Sequence, residues 1–246
     1  MTVLVLGGTA EARTLAELLQ ASGVAFVSSL AGRVARPRLP VGEVRVGGFG
    51  GVDGLVRYLS EHGVTAVVDA THPFAMGMTA NAVEGCEATG VPLLRLERPG
   101  WGDAPGADRW HWVDGHRDAA ELVAALSARP FLTVGRQRLD AFTGPLHRHA
   151  ALVRVVDVPD VALPAAWTLR TSRGPYPVAA EHALMTEHAV DAVVTKDSGG
   201  SYTRAKLQVA DELGIPVVVV RRGTPPGTAR TVTDPADAAA WAIARG

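Results

Sequence analysis

The sequence predicts an α/β fold of two Rossmann-like parallel-sheet domains with a ligand cleft between them, and three observations carry that prediction. Short β-branched runs alternate with helix-length segments along the chain, the pattern of βαβ units whose parallel strands are buried on both faces. A strand–glycine–helix junction occurs in each half, at Gly7-Gly8-Thr9 and at Gly135-Arg136-Gln137. Between the halves, residues 98–112 hold Pro99, Gly100, Gly102, Pro105 and Gly106 among aromatic and charged residues, and this break in the rhythm marks a domain junction. The expected domains are residues 1–105 and residues 106–246.

The first strand is Val3–Leu6, ended by Gly7-Gly8, and a helix over Thr14–Ala21 follows it. Strands at Ala25–Ser29, Ala66–Asp69 and Leu93–Leu96 then alternate with helices over Gly51–His62 and Phe74–Thr89. In the second half, strands at Phe131–Val134, Leu152–Val156, Ala192–Thr195 and Val217–Val220 accompany helices over Ala119–Ser127, Val178–His188 and Tyr202–Leu213. Gly90-Val91-Pro92 and Gly214-Ile215-Pro216 each read as a helix stop followed by strand entry, because glycine accepts the left-handed cap conformation and proline cannot extend a helix. The last helix, Asp234–Arg245, opens on Asp234-Pro235, a capping residue before a proline in the first turn. Trp101, Trp110 and Trp112 near the junction either line a pocket for a large flat ligand or pack between the domains.

Composition excludes several classes of function. The net charge of −1 gives no basic excess for nucleic acid, and 47% hydrophobic residues suit a globular core. Apolar runs stay short of the roughly 18 residues a membrane helix needs, and the N-terminal run lacks a basic flank, so the expected location is cytoplasmic. The single cysteine, Cys86, cannot form an internal disulfide and reads as a small core hydrophobe. No metal is expected: His111/His116 and His147/His149 lack His-Glu-x-x-His spacing and cysteine partners. Gly-x-Ser-x-Gly and Walker patterns are absent too. Composition leaves the oligomeric state open, with a monomer favoured.

The polar motifs fall where parallel strands end. Gly7, Gly8 and Thr9 form a turn into a helix, where free amides and the helix dipole favour a pyrophosphate; the full Gly-x-Gly-x-x-Gly pattern is missing, since Thr9 and Ala12 replace two glycines. At the tip of the second strand, Ser28-Ser29-Leu30-Ala31-Gly32-Arg33 offers a base where NAD-binding folds place an acid, so Ser29 and Arg33 suit a 2′-phosphate and NADPH is expected over NADH. Asp69-Ala70-Thr71-His72-Pro73 places Thr71 and His72 near a nicotinamide or substrate, with His72 a possible proton donor; capping of the following helix is the competing reading. In the second half, Arg136 stands at a helix entrance, Arg173 lies in a basic turn, and Lys196, Ser198, Gly199 and Gly200 compose an anion nest, unless Asp197 and Ser198 only shape a turn.

The ordered set Gly7-Gly8-Thr9-Ala10-Glu11-Ala12-Arg13, Asp69-Ala70-Thr71-His72-Pro73-Phe74-Ala75, Thr133-Val134-Gly135-Arg136-Gln137, Arg173-Gly174-Pro175-Tyr176 and Thr195-Lys196-Asp197-Ser198-Gly199-Gly200 resembles the precorrin-6A reductase family. The likeness runs from the first strand to Arg221-Arg222. Two departures are Asp197 in place of a common asparagine, which puts a negative charge near the anion nest, and Tyr176 in place of phenylalanine. The resemblance implies two Rossmann-like domains that can exchange a terminal strand, the first NADPH-binding and the second substrate-binding, with NADPH and the macrocycle meeting in the cleft. It implies hydride transfer from NADPH to a ring carbon–carbon double bond of precorrin-6A, with a proton to the neighbouring carbon, giving precorrin-6B in cobalamin biosynthesis. Arg13, Arg136, Arg173 and Lys196 then hold ring carboxylates. His72, Asp140, a water or a substrate carboxyl supplies the proton. The alternatives are reduction of cobalt-precorrin-6A and a non-catalytic NADPH-binding sensor.

Overall fold

Every apolar run named above becomes a strand of a parallel sheet. The computed structural model describes residues 1–32, 36–224, 227 and 229–246, so the role expected of Arg33 lies outside the described residues. Along the chain the elements are β1 (Thr2–Leu6), α1 (Ala10–Ala21), β2 (Phe26–Leu30), β3 (Glu43–Val46), α2 (Val52–Glu61), β4 (Val64–Asp69), α3 (Met76–Thr89) and β5 (Leu93–Leu96). Then come β6 (His111–Val113), α4 (His116–Leu126), β7 (Pro130–Leu132), α5 (Asp140–Thr143), β8 (Leu152–Val155), β9 (Thr168–Thr171), α6 (Val178–Glu187), β10 (Ala192–Lys196), α7 (Ala205–Glu212) and β11 (Val217–Val220). The chain finishes with β12 (Arg230–Val232) and α8 (Pro235–Ile243).

Two six-stranded sheets result, in the orders β12-β5-β4-β1-β2-β3 and β6-β11-β10-β7-β8-β9. Every pairing among them is parallel. The strand alternation of β1 shows how the first sheet is covered on both faces. Val3 and Val5 face one core with Leu15 and Leu19 of α1 and Ala238 and Ala242 of α8, whereas Leu4 and Leu6 face the other with Leu55 and Leu59 of α2 and Ala82 and Cys86 of α3. In the second sheet Phe131, Val193, Val217 and Val219 share a core with Trp101, Met185 and Leu207, and Trp110 and Trp112 pack against it. The three tryptophans therefore serve the interior of one unit.

The chain divides into a unit of Met1–Pro99 with Gly223–Gly246 and a unit of Gly100–Arg222. This differs from the expected division at residue 105, chiefly at the C-terminal end. β12, which follows β11 in sequence, pairs with β5 of the first sheet, while β6, which follows β5, pairs with β11 of the second. The first sheet thus takes one outermost strand, β12, from the chain beyond the second unit, whereas β6 belongs to the second unit's own continuous stretch. The strands not anticipated, β3, β6, β9 and β12, are the four sheet edges. An edge strand is half-covered and needs no continuous apolar run, as Glu43-Val44-Arg45-Val46 and Thr168-Leu169-Arg170-Thr171 illustrate.

Candidate functional site

In the first unit the candidate residues gather where β1, β2 and β4 end. Gly8 adopts a φ of +112°, a conformation for which glycine is suited, and a β-carbon on Gly7 would come within 3.4 Å of the Ala12 β-carbon. Alanine in place of the third glycine thus still lets α1 approach the turn. The Thr9 hydroxyl accepts the Ala12 N–H at 3.1 Å and donates to the Ala70 carbonyl at 2.8 Å. Its side chain is therefore a helix cap that ties the β1 turn to the end of β4, and the anion-binding capacity of the turn resides in the first-turn amides of α1. Arg13 Nη1 donates to the Thr9 carbonyl at 3.0 Å, which holds a guanidinium beside that turn.

Ser29 meets a cation that the sequence reading had overlooked. Its Oγ accepts from Arg45 Nη1 at 2.9 Å, because β3 sets Arg45 opposite Ser29 in the parallel register. The guanidinium also donates to the carbonyls of Gly47 and Gly48, and lies 3.9 Å from the Phe49 ring centre and 5.2 Å from that of Tyr58. Arg45 escaped notice because its strand did: the only clue was an arginine inside an alternating four-residue segment.

At the end of β4, Asp69 organises a buried network. Its Oδ1 accepts the Thr71 N–H at 3.1 Å and the Thr71 hydroxyl at 2.6 Å; its Oδ2 accepts from Thr79 at 2.7 Å and from Arg95 Nη1 at 2.8 Å. Arg95 Nε lies 2.5 Å from Glu97 Oε2. Thr71 is thereby turned toward Asp69, and it does not cap α3, whose N-cap is Ala75 without a side-chain bond. His72 Nδ1 accepts the Phe74 N–H at 3.1 Å, which puts the proton of the neutral ring on Nε2. Burial, aided by Asp69, pushes the Cys86 thiol up to about 12, so it stays protonated and behaves as a core side chain.

In the second unit, the corresponding ends of β7 and β10 hold a cluster of cations. Burial first, and Arg138 second, bring the Lys196 ammonium down to about 8. Gly135, at a φ of +79°, stands 3.6 Å from Lys196 Nζ measured from where a β-carbon would sit. His116, at the start of α4, is held near 4 by burial and then by Lys196 and Arg138, against a smaller opposing effect of Asp140. The arginine that shares a field with Lys196 is thus Arg138, whereas Arg136 turns toward the Val158 carbonyl and lies 3.8 Å from Asp160. Arg138 was discoverable as the second base of the Gly135–Arg138 run, and His116 carried no local signal. Asp140 is exposed at the first residue of α5. Ser198 donates its N–H to the Lys196 carbonyl at 2.6 Å, and the buried Gly199 and part-buried Gly200 follow at φ +65° and +71°, where side chains would be strained. Arg173 stands apart, in the turn between β9 and α6.

The described residues thus place a glycine turn suited to a pyrophosphate in one unit and a cluster of cations at strand ends in the other. The model of the family described as precorrin-6x reductase CbiJ/CobK matches residues 2–243. A precorrin-6A reductase of Rhodococcus erythropolis is 53% identical over 97% of this chain and 96% of its own. A cobalt-precorrin-6A reductase of Salmonella typhimurium is 31% identical over 91% and 88%. The solved structure of CobK precorrin-6A reductase superimposes with a TM-score of 0.92 at 39% identity, covering 100% of this chain and 97% of that one. Such reductases use a nicotinamide cofactor, and the glycine turn before α1 fits the diphosphate of one. The chain belongs to the precorrin-6x reductase CbiJ/CobK family.

Proposed function

We propose that this chain is an NADPH-dependent reductase of precorrin-6A. The observation that carries the reading is Arg45 seated on Ser29 at adjoining strand ends, beside the Gly7–Thr9 turn. That turn is suited to a pyrophosphate, and a guanidinium with a serine hydroxyl one strand away is suited to a 2′-phosphate. When bound, the cofactor supplies the hydride.

The second unit supplies affinity for a polycarboxylate. Lys196 and Arg138 are cations at a strand end, the left-handed turn of Gly199 and Gly200 is of the kind that forms anion nests, and Arg136 and Arg173 add peripheral charge. His116 is neutral near pH 7 and can donate or accept a hydrogen bond without adding charge. Among the candidate proton donors, His72 is favoured, since the Phe74 amide fixes its tautomer with Nε2 protonated. His72→Gln is expected to lower kcat by about 100-fold or more while both KM values hold, as for loss of a general acid; an unchanged kcat assigns the proton to solvent or to Asp140.

Membership of a reductase family argues against the sensor alternative, and the higher identity to a precorrin-6A reductase than to a cobalt-precorrin-6A reductase, 53% against 31%, favours precorrin-6A over its cobalt form. The deciding experiment is anaerobic incubation with precorrin-6A and either NADPH or NADH, following nicotinamide absorbance and product mass. A product heavier by two hydrogens, formed faster with NADPH, is expected. Turnover only of cobalt-precorrin-6A, or equal use of both cofactors, overturns the substrate or the cofactor assignment respectively.

A further inference from the structure

Asp197 closes β10 and is buried, yet it has no part in the site described above. Its Oδ1 accepts the backbone N–H of Trp101 at 2.8 Å. Its Oδ2 lies 3.2 Å from Arg222 Nε, and the same Nε donates to the Asp197 carbonyl at 2.8 Å. Gly100 is pressed so closely against this carboxylate that a β-carbon there would fall 2.6 Å from Oδ2. The Trp101 indole N–H reaches the Gly200 carbonyl at 3.2 Å, and the Lys206 ammonium, which donates to the Thr203 carbonyl at 2.6 Å, lies 5.1 Å from the Trp101 ring centre.

These contacts join three segments distant in sequence. Gly100 and Arg222 are the first and last residues of the second unit, where the chain enters and leaves it. The third segment is the loop of Ser198, Gly199 and Gly200. One carboxylate therefore fastens the entry and the exit of the unit to its anion-binding loop. A residue that merely shaped the turn would bond within its own loop, whereas the Asp197 side chain reaches Trp101 and Arg222 instead. The negative charge that looked unfavourable beside an anion site is matched by Arg222. We propose that Asp197 is a positioning residue through which carboxylate binding at Ser198–Gly200 is coupled to both chain connections of the second unit. This rests on the substrate reading above.

Hydrogen exchange on the full-length protein, with and without ligand, tests the coupling together with steady-state kinetics. Saturating precorrin-6A is expected to increase protection around Trp101 and Arg222 in the wild type. Asp197→Ala loses that response and raises KM for precorrin-6A about tenfold or more, the loss expected for hydrogen bonds to a charged group, with KM for NADPH little changed. Gly100→Ala, which adds one methyl against the carboxylate, gives the same split by an independent route if Asp197→Ala fails to fold. Wild-type KM values in the folded variants overturn the proposal. Mellitate, a hexacarboxylate, distinguishes the two possible failures. If precorrin-6A is not reduced but mellitate still protects both segments in the wild type alone, the coupling stands and the substrate reading falls. If precorrin-6A is reduced while neither ligand alters exchange at either segment, the coupling falls and the substrate reading stands.

Discussion

Single cations in this protein differ by what surrounds them. Arg95 and Arg154 are consumed by buried partners, Arg95 by Asp69 and Glu97, and Arg154 by both carboxylate oxygens of Glu181 and the faces of Tyr176 and Phe131. Arg45 is held by neutral groups, a serine hydroxyl, two carbonyls and two aromatic rings, so its charge is still available to a phosphate. Replacing it with glutamine is expected to raise KM for NADPH by about ten- to a hundredfold, from loss of a charge-assisted bond, while KM for NADH stays put; parallel rises for both cofactors would move the 2′-phosphate elsewhere. Lys196 brings a pH dependence. With its ammonium near 8, the cation is present below that pH and lost above it, so kcat/KM for the tetrapyrrole should fall as pH rises through about 8. In Lys196→Met the value should be low throughout and the break should vanish, and a break that survives the substitution belongs to another group.

At the scale of elements, α1 depends on Thr9 at both ends of one hydroxyl, as a cap for Ala12 and a donor to Ala70. Thr9→Ala should cost about 0.5–2 kcal/mol for the cap, with a further loss from the buried carbonyl left bare, measured by urea denaturation. A variant as stable as the wild type would mean that water replaces both bonds. The interior strands were legible because burial on both faces demands unbroken apolar runs, as in Val217–Val220, and the glycine turn was legible because backbone geometry demanded glycine at position 8. The edges were not. β3 alternates and is largely solvated, and with it went Arg45, whose position opposite Ser29 is set by a strand pairing that no local pattern encodes. Likewise His116 and Lys196 come together only because α4 and β10 belong to one sheet unit, and the bond from the Thr71 hydroxyl to Asp69 has no local sequence signal beyond their spacing.

For the molecule as a whole, the consequential fact is that the chain passes from the first unit to the second and back again. β12 and α8 complete a sheet whose other strands were laid down before residue 99, and α8 covers α1 through Ala238 and Ala242. The first unit therefore lacks an edge and part of a core until its last residues dock. Ala238→Asp puts an unpaired charge into that contact and should destabilise the protein by at least about 3 kcal/mol, roughly 6–12 °C in Tm, by calorimetry. A smaller change would show that α8 is a loosely held appendage. Near the last residue the chain comes back to its beginning, since a β-carbon on Gly246 would sit 3.5 Å from Val3 Cγ2. A circular permutant is therefore within easy reach. Linking the ends and opening the chain between Arg222 and Gly223 would make each unit one uninterrupted stretch, turning an interleaved pair into a plain tandem joined by a single covalent thread.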